Sequence, residues 1–310
     1  DEHHPIVLER VNFADPIISY AIAPKSKGDE EKVSAGLHRI LEEDPTLRFT
    51  RDEESKEMIL SGMGQVHLEV ALERLKRKFG VEVLMKTPKI PYRETIRASA
   101  KAQGKYKKQS GGRGQYGDCW IEIEPMPRGG GYEFVDRIVG GVIPQQYRPA
   151  VEKGIIETMK EGILAGYPIV DMRVTLYDGS YHTVDSSEMA FKIAGSMALK
   201  KAFQDSKPVL LEPIMKVEVT VPDDTLGAVI GDLNSRRGKV QGVEPQAGGN
   251  QKILCLVPMA EMLTYANQLQ SITSGRGLYS MEFSHYEEVP GHISQKIIAE
   301  RQKQKEEEQH

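Results

Sequence analysis

The chain has 310 residues, 39% of them hydrophobic and 28% charged, with a formal net charge of −4. That length supports two or three packed domains, and the slightly acidic balance argues against indiscriminate coating of nucleic acid, which grows with the number of phosphates neutralised. The two cysteines, Cys119 and Cys255, lie far apart without metal-ligand spacing, and no apolar run is long enough to span a bilayer. The expectation is a soluble, untargeted cytoplasmic protein with no disulfide framework, no metal and no membrane partner.

In chain order, the first residue is Asp1 rather than Met, and residues 6–13 read as the tail of an earlier strand, so a piece of a longer protein is expected. Residues 17–23 form a strand-like run ending at Pro24, and residues 29–44 place Val33, Leu37, Ile40 and Leu41 on one helical face. Short strands at 47–50 and 58–60 flank a polar turn at 52–56. Leu68, Ala71, Leu72, Leu75 and Phe79 fall in helical register across 65–78, and residues 81–85 supply a fourth strand. The order βαββαβ is the ferredoxin-like split pattern.

The same order returns near the C-terminus. A strand at 215–221 precedes a helix lined by Leu226, Val229, Ile230 and Leu233 and ended by Gly238. A hairpin then pairs 239–244 with 253–257 around Ala247, Gly248, Gly249 and Asn250; Met262, Leu263, Ala266 and Leu269 mark a second helix, and 279–283 the last strand. Pro208 and Pro213 are expected to mark its entry. Between the copies lies an α+β unit with strands beginning at Glu94 and Tyr116, a strand at 134–138, a helix after Pro149, a strand at 170–176 and a helix at 187–203. Its loops at 110–114 and 179–185 adjoin long strands and are expected to meet at one end. Residues 293–308 read as a charged helix whose narrow stripe of Ile293, Ile297 and Ile298 packs weakly. The predicted fold is therefore α+β and multidomain, with domains at 1–90 (1–15 being the tail of a preceding domain), 91–208 and 209–287, and a C-terminal helix at 288–310 near the middle domain.

A phosphate-binding loop of the form GxxxxGK[ST] does not occur. The span from Gly231 to Gly238 before Lys239 has the wrong spacing and Val240 where a hydroxyl would ligate magnesium, so it reads as a helix C-cap. His182, Asp185, Ser186 and Ser187 invite a nucleophilic triad, yet no GxSxG elbow frames either serine. One of them is expected to cap the helix that begins there, with Glu188 at its positive end. His67 lies beside an apolar helix face and is expected to be a core or boundary residue. Arg236, Arg237 and Lys239 cluster at a helix end, a position that the helix dipole and an RNA contact explain equally.

Residues 105–117 are the most informative stretch. From Thr95 to Gly117 the chain carries Arg97, Lys101, Lys105, Lys107, Lys108 and Arg113 with no Asp or Glu. Glycines admit close backbone approach, Lys and Arg neutralise phosphate, and Gln109 and Ser110 can bond to base edges or ribose hydroxyls. A flexible glycine hairpin kept soluble by lysines is the plainer alternative, and composition leaves both open. Neither βαββαβ unit carries the aromatic repeat of an RNA-stacking sheet.

Taken together, these residues resemble the C-terminal half of the bacterial elongation factor G family. The likeness is carried by residues 16–25, by Glu43, Asp44 and Pro45, by Ser61, Gly62, Met63, Gly64, His67, Leu68 and Glu69, by Tyr92, Arg93, Glu94 and Thr95, and by residues 109–117. It continues through Gly140, Gly141, Val142, Ile143 and Pro144, residues 164–168, 179–188 and 208–218, and Gly231, Asp232 and Leu233.

The resemblance implies the family's domains three, four and five, the middle one similar to the second domain of ribosomal protein S5. The family's GTPase domain, with its GTP and Mg2+, would be a partner in the same parent chain; this part by itself would be no enzyme, hold no cofactor and be monomeric. Gln109, Ser110, Gly111, Gly112, Arg113 and His182 would form a tip that enters the decoding region beside the tRNA–mRNA duplex and 16S rRNA, with Lys105, Lys107 and Lys108 as supporting basic contacts. Arg236, Arg237, Ser274 and Arg276 would contact 23S rRNA near the L11 stalk base of the ribosome. The implied role is translocation of tRNA and mRNA, the tip blocking back-slippage. Ala23, Gln65 and the run 76–83 look more like a second, paralogous form, so ribosome recycling is an alternative, as is a tetracycline-resistance type of protection factor.

Overall fold

The computed structural model describes residues 16–26, 28–52, 55–109 and 114–308. The expected strand tail at 6–13 and the candidate tip residues Ser110, Gly111, Gly112 and Arg113 lie outside the described residues.

The N-terminal module runs β1 (Ile18–Pro24), α1 (Glu30–Glu43), β2 (Arg48–Arg51), β3 (Met58–Gly62), α2 (Gln65–Phe79) and β4 (Val83–Lys86). Its antiparallel sheet has the order β2-β3-β1-β4. Spacing near 3.6 residues puts Val33, Leu37 and Ile40 of α1 and Leu68, Ala71 and Leu75 of α2 on the faces that bury Ile18, Ile22 and Leu60 of the sheet. α2 stops at Gly80, whose φ of 68° lets its N–H reach the Lys76 carbonyl at 2.9 Å; Lys76, Arg77 and Lys78 in the last turn complement the dipole.

The middle module contains β5 (Arg93–Ile96), β6 (Ala100–Lys108), β7 (Gln115–Pro125), β8 (Tyr132–Asp136), α3 (Arg148–Glu161), β9 (Met172–Ser180) and α4 (Glu188–Asp205). Four strands form a sheet ordered β6-β7-β9-β8, antiparallel except for the β8/β9 pair. α3 and α4 share one core with Ile121, Ile123, Val174 and Leu176 of the strands. Strand glycines bring α4 close: a Cβ on Gly104 would stand 2.0 Å from the Ala194 carbonyl oxygen, and one on Gly117 2.5 Å from that of Ala190. β6 is a strand that the sequence hides, because the lysine-rich composition of 95–117 masks an alternation in which Ala102 and Gly104 face inward and Lys101 and Lys105 outward.

Glu94 on β5 is fully buried, and its carboxylate accepts five backbone N–H bonds from the loop after α3: Ile163 and Leu164 at 2.8 Å, Ala165 at 2.7 Å, Gly166 at 2.9 Å and Tyr167 at 3.0 Å. A buried charge persists only where donors surround it in this way.

The C-terminal module repeats the first one's order: β10 (Pro208–Pro222), α5 (Leu226–Ser235), β11 (Lys239–Gln246), β12 (Asn250–Pro258), the short α6 (Met259–Met262), α7 (Tyr265–Thr273) and β13 (Leu278–Glu288), with the strands ordered β11-β12-β10-β13. One expectation needs correction. The helix marked by Met262, Leu263, Ala266 and Leu269 is two helices, with Leu263 and Thr264 between them. Pro208 and Pro213 do mark the entry: β10 opens at Pro208, and Pro213 stands between residues 208–211, which pair with β5, and residues 214–222, which pair with β12, so the missing N–H falls where the ladder changes partner.

The chain divides into two compact units, Asp1–Ile90 with Ile214–His285 and Pro91–Pro213 with Tyr286–His310. Within the first, Ala266 and Tyr279 join the N-terminal module's core, and the Tyr279 hydroxyl donates to the Ile17 carbonyl at 2.7 Å. Within the second, the stripe Ile293, Ile297 and Ile298 of α8 (Gly291–Glu308) packs on a cluster of Ala165, Leu210 and Val289 with Tyr92 and Tyr167. The last helix thus packs by its narrow stripe, whose three isoleucines stay only partly buried. Among the described residues no helix is long and apolar enough to cross a membrane.

Candidate nucleic-acid interface

β6 ends and β7 begins at the register pair Lys108↔Gln115, which places Gln109 and Gly114 at one end of the middle sheet. β9 finishes at the same end, and residues 181–187 lead from it into α4. Asp185 clasps this strand connection to the 181–187 turn through Gly114 and Tyr116. Its Oδ1 accepts the Gly114 N–H at 3.1 Å, and its backbone carbonyl accepts the Tyr116 N–H at 2.8 Å. Gly114 permits the contact, because a Cβ there would lie 2.9 Å from the Asp185 carboxylate.

A polar chain continues into the sheet. The Tyr116 hydroxyl and Ser180 Oγ are 2.7 Å apart, Ser180 Oγ donates to Asp118 Oδ2 at 2.7 Å, and Gln103 Nε2 donates to Asp118 Oδ1 at 2.8 Å. With both oxygens satisfied, the nearly buried Asp118 withdraws its charge from the surface.

The 181–187 turn is internally braced. The His182 N–H bonds to Ser186 Oγ at 2.9 Å and the Ser186 N–H returns to the His182 carbonyl at 3.1 Å. His182 Nδ1 accepts the Val184 and Asp185 N–H groups at 3.3 and 3.2 Å. The side chain is 54% exposed, and its Nδ1 also lies 3.4 Å from Asp185 Oδ2. This geometry does not assemble a nucleophile: Ser186 Oγ is engaged by backbone, while Ser187 Oγ caps α4 through the Ala190 N–H at 3.2 Å.

Gln109, Lys105, Lys107 and Lys108 are exposed beside this clasp. Lys105 Nζ stands 5.8 Å from the Tyr116 ring centroid, and none of these lysines has an acidic partner among the described residues. Sequence reasoning missed a third element at this end, the connection from β8 to α3. Ile143 packs on Gly179, the Tyr147 hydroxyl donates to the Ser186 carbonyl at 3.3 Å, and Val139 stands 82% exposed at its apex. The pair Gly140–Gly141, both with φ near 70°, was the available signal.

The second group of candidates sits on the C-terminal module. Arg236, only 15% exposed, binds Asp232 at 2.8 Å and the Glu261 carbonyl at 2.7 Å, and lies over the Tyr265 ring. It is committed within the fold. Arg237 pairs with Glu261 at 3.0 Å, Ser274 ends α7 in the left-handed region, and Arg276, 52% exposed, pairs with Asp224 at 2.8 Å.

His67 is a boundary residue, as expected, and serves as a brace. It joins Asp44 Oδ2 through Nε2 at 2.8 Å and accepts the Met63 N–H through Nδ1 at 3.1 Å, fixing the turn into α2. Burial pushes the Cys119 thiol up to about 12 and that of Cys255 up to about 11, so neither is an activated nucleophile. Among the described residues no group of three His, Cys, Asp or Glu side chains is arranged to hold a metal ion.

Two ferredoxin-like modules flank, in chain order, an α+β module that carries the Asp185 clasp, the architecture of a multidomain factor. Residues 13–87 match the family described as Elongation Factor G, domain III, residues 88–207 Elongation factor G, domain IV, and residues 209–297 Elongation factor G C-terminus; the chain belongs to the elongation factor G family. It is 56% identical over 302 residues to the elongation factor G of Aquifex pyrophilus, a match covering 97% of this chain and 43% of that protein. It is also similar to a crystal structure of a protein from Thermus thermophilus, with a TM-score of 0.81 and 47% identity over 95% of this chain and 44% of the other. The chain therefore spans less than half the length of these relatives.

Proposed function

We propose that this chain is the ribosome-binding part of a translocation factor, in which the clasped end of the middle module enters the decoding region of the small subunit and blocks back-slippage of the tRNA–mRNA duplex. The observation that carries this is the Asp185 clasp, which ties Gly114 and Tyr116 to the 181–187 turn and leaves the His182 side chain 54% exposed beside them. A-form RNA exposes ribose hydroxyls across a wide, shallow minor groove, and a rigid tip with outward donors reads that surface by shape. Gln109 and His182 supply the polar contacts, and Lys105, Lys107 and Lys108 supply attraction. Ser110, Gly111, Gly112 and Arg113 lie between Gln109 and Gly114 in sequence and share this assignment. On the C-terminal module, exposed Arg276 with Arg237 and Ser274 forms the face for 23S rRNA near the stalk base, Arg236 serving to hold Arg237 in place. GTP and Mg2+ belong to the GTPase domain of full-length relatives, and the chain works as a monomer in the cytoplasm.

The test is His182→Ala placed in the full-length protein and read by single-round translocation. Losing one such bond, about 1–2 kcal/mol, slows translocation roughly tenfold. Unchanged translocation would sink the assignment of the tip. Replacing Lys105, Lys107 and Lys108 together by Ala flattens the salt dependence of ribosome affinity by about 0.7–0.9 log units per log unit of salt for each phosphate that is no longer neutralised. An unchanged slope would return these lysines to solvent.

A further inference from the structure

Among the described residues, the helices α3 and α4 pack on one face of the middle sheet. On β7, Gly117, Cys119, Ile121 and Ile123 point toward α4 and the core, so Tyr116, Asp118, Trp120 and Glu122 point the other way. Their register partners on β6 are Lys107, Lys105, Gln103 and Lys101 in turn. On β9 a bulge opposite the Trp120–Ile121 step inserts Tyr177 as an extra residue, which brings its ring to 6.5 Å from that of Trp120 and to 5.5 Å from Lys101 Nζ.

Charge on this face is not balanced near the tip. Asp118 is buried with both oxygens occupied, Glu122 pairs with Lys101 at 3.5 Å, and Asp178 accepts the Gly179 N–H. Lys105 and Lys107 are left without an acid among the described residues. Lysines on an edge strand guard against sheet-to-sheet pairing, and an aromatic pair across strands stabilises a sheet. Neither role requires both features on one wet face, with a bulge aiming Tyr177 at Trp120.

We propose that this face is a second RNA-binding surface, along which an unpaired strand runs from the tip toward Trp120, its bases stacking on Trp120 and Tyr177 and its phosphates held by Lys101, Lys105 and Lys107. The inference rests on the tip being an RNA contact, and it is separable from it. Aromatic rings beside lysines bind single strands without regard to sequence, because every base offers a π-face; a duplex hides those faces within its stack. Trp120 lies four residues from Tyr116, about 14 Å at ~3.4 Å per residue, so the track is short enough to be continuous with the tip.

Trp120 is the only tryptophan of the chain, so its fluorescence reports this face alone. The 310-residue chain is titrated with an oligouridylate of about twelve nucleotides and, separately, with an RNA hairpin of equal length. The expected result is quenching by the single strand that weakens as salt rises and exceeds that by the hairpin. Tyr177→Ala, and independently the surface pair Lys105→Ala with Lys107→Ala, weaken it roughly tenfold. Absent quenching, with or without binding of a labelled oligouridylate, overturns the proposal, as does equal quenching by the hairpin. Quenching by isolated ribosomal proteins but not by RNA also overturns it and gives the face to a protein. Ribosome co-sedimentation of the His182→Ala chain tests the tip separately: unaltered sedimentation with quenching retained fails the tip and leaves this face standing, and the reverse pattern fails this face alone.

Discussion

Asp185 does three things with one side chain and one carbonyl: it accepts from Gly114, accepts from Tyr116 and lies 3.4 Å from His182 Nδ1. Removing its carboxylate leaves the Gly114 N–H without its partner and loosens the tie between Gly114 and the 181–187 turn. Asp185→Ala is therefore expected to lower stability by only about 1 kcal/mol, as for one exposed hydrogen bond, and to weaken ribosome binding more than that loss implies. Gly114→Ala reaches the same end by collision, its Cβ lying 2.9 Å from the carboxylate. Urea denaturation beside ribosome co-sedimentation separates the two effects, and parallel losses would show that Asp185 merely stabilises the fold. Asp185 is hard to see in the sequence as a clasp, because its partners stand about seventy positions upstream and are backbone groups with no side-chain signature.

At the scale of elements, the βαββαβ order and the apolar faces of α1 and α2 are legible because a 3.6-residue period and a Gly80 stop are local signals. β6 and the division of the last βαββαβ helix are not, since each depends on which neighbour covers it. The expectation that the turns at 110–114 and 179–185 share one end is met for the described residues, through Gly114 and Asp185. The brace between α1 and α2 carries a pH signature. Asp44 is held below its ordinary 3.8 by the Thr46 hydroxyl first and also by His67, against the opposing effect of burial. A folded pKa that is depressed contributes stability present above the unfolded value and lost as pH falls through the folded one. Unfolding midpoints in urea should thus decline below about pH 4, and Asp44→Asn should flatten that decline. Equal acid sensitivity in the variant would assign it to other carboxylates, such as Glu82, which Lys25 and Lys76 hold down at about 2.

For the whole molecule, the separate compactness of two units means that local signals cannot report on how the parts combine; pairing of β5 with β10 joins residues more than a hundred positions apart. Tyr92, Arg93, Glu94 and Thr95 stand out in sequence only as a matching string, with nothing to mark Glu94 as buried. Its five donors are successive amides of an irregular loop, of a kind that ordinarily exchanges hydrogen with solvent within the fraying of that loop alone. Gathered on one carboxylate beneath the docking site of α8, they share a single fate. In deuterium the amides of 163–167 should exchange together and as slowly as the strands of the middle sheet, and Glu94→Gln should release them as a group while those strands stay protected. Five independent exchange rates would mean that the loop keeps its own time.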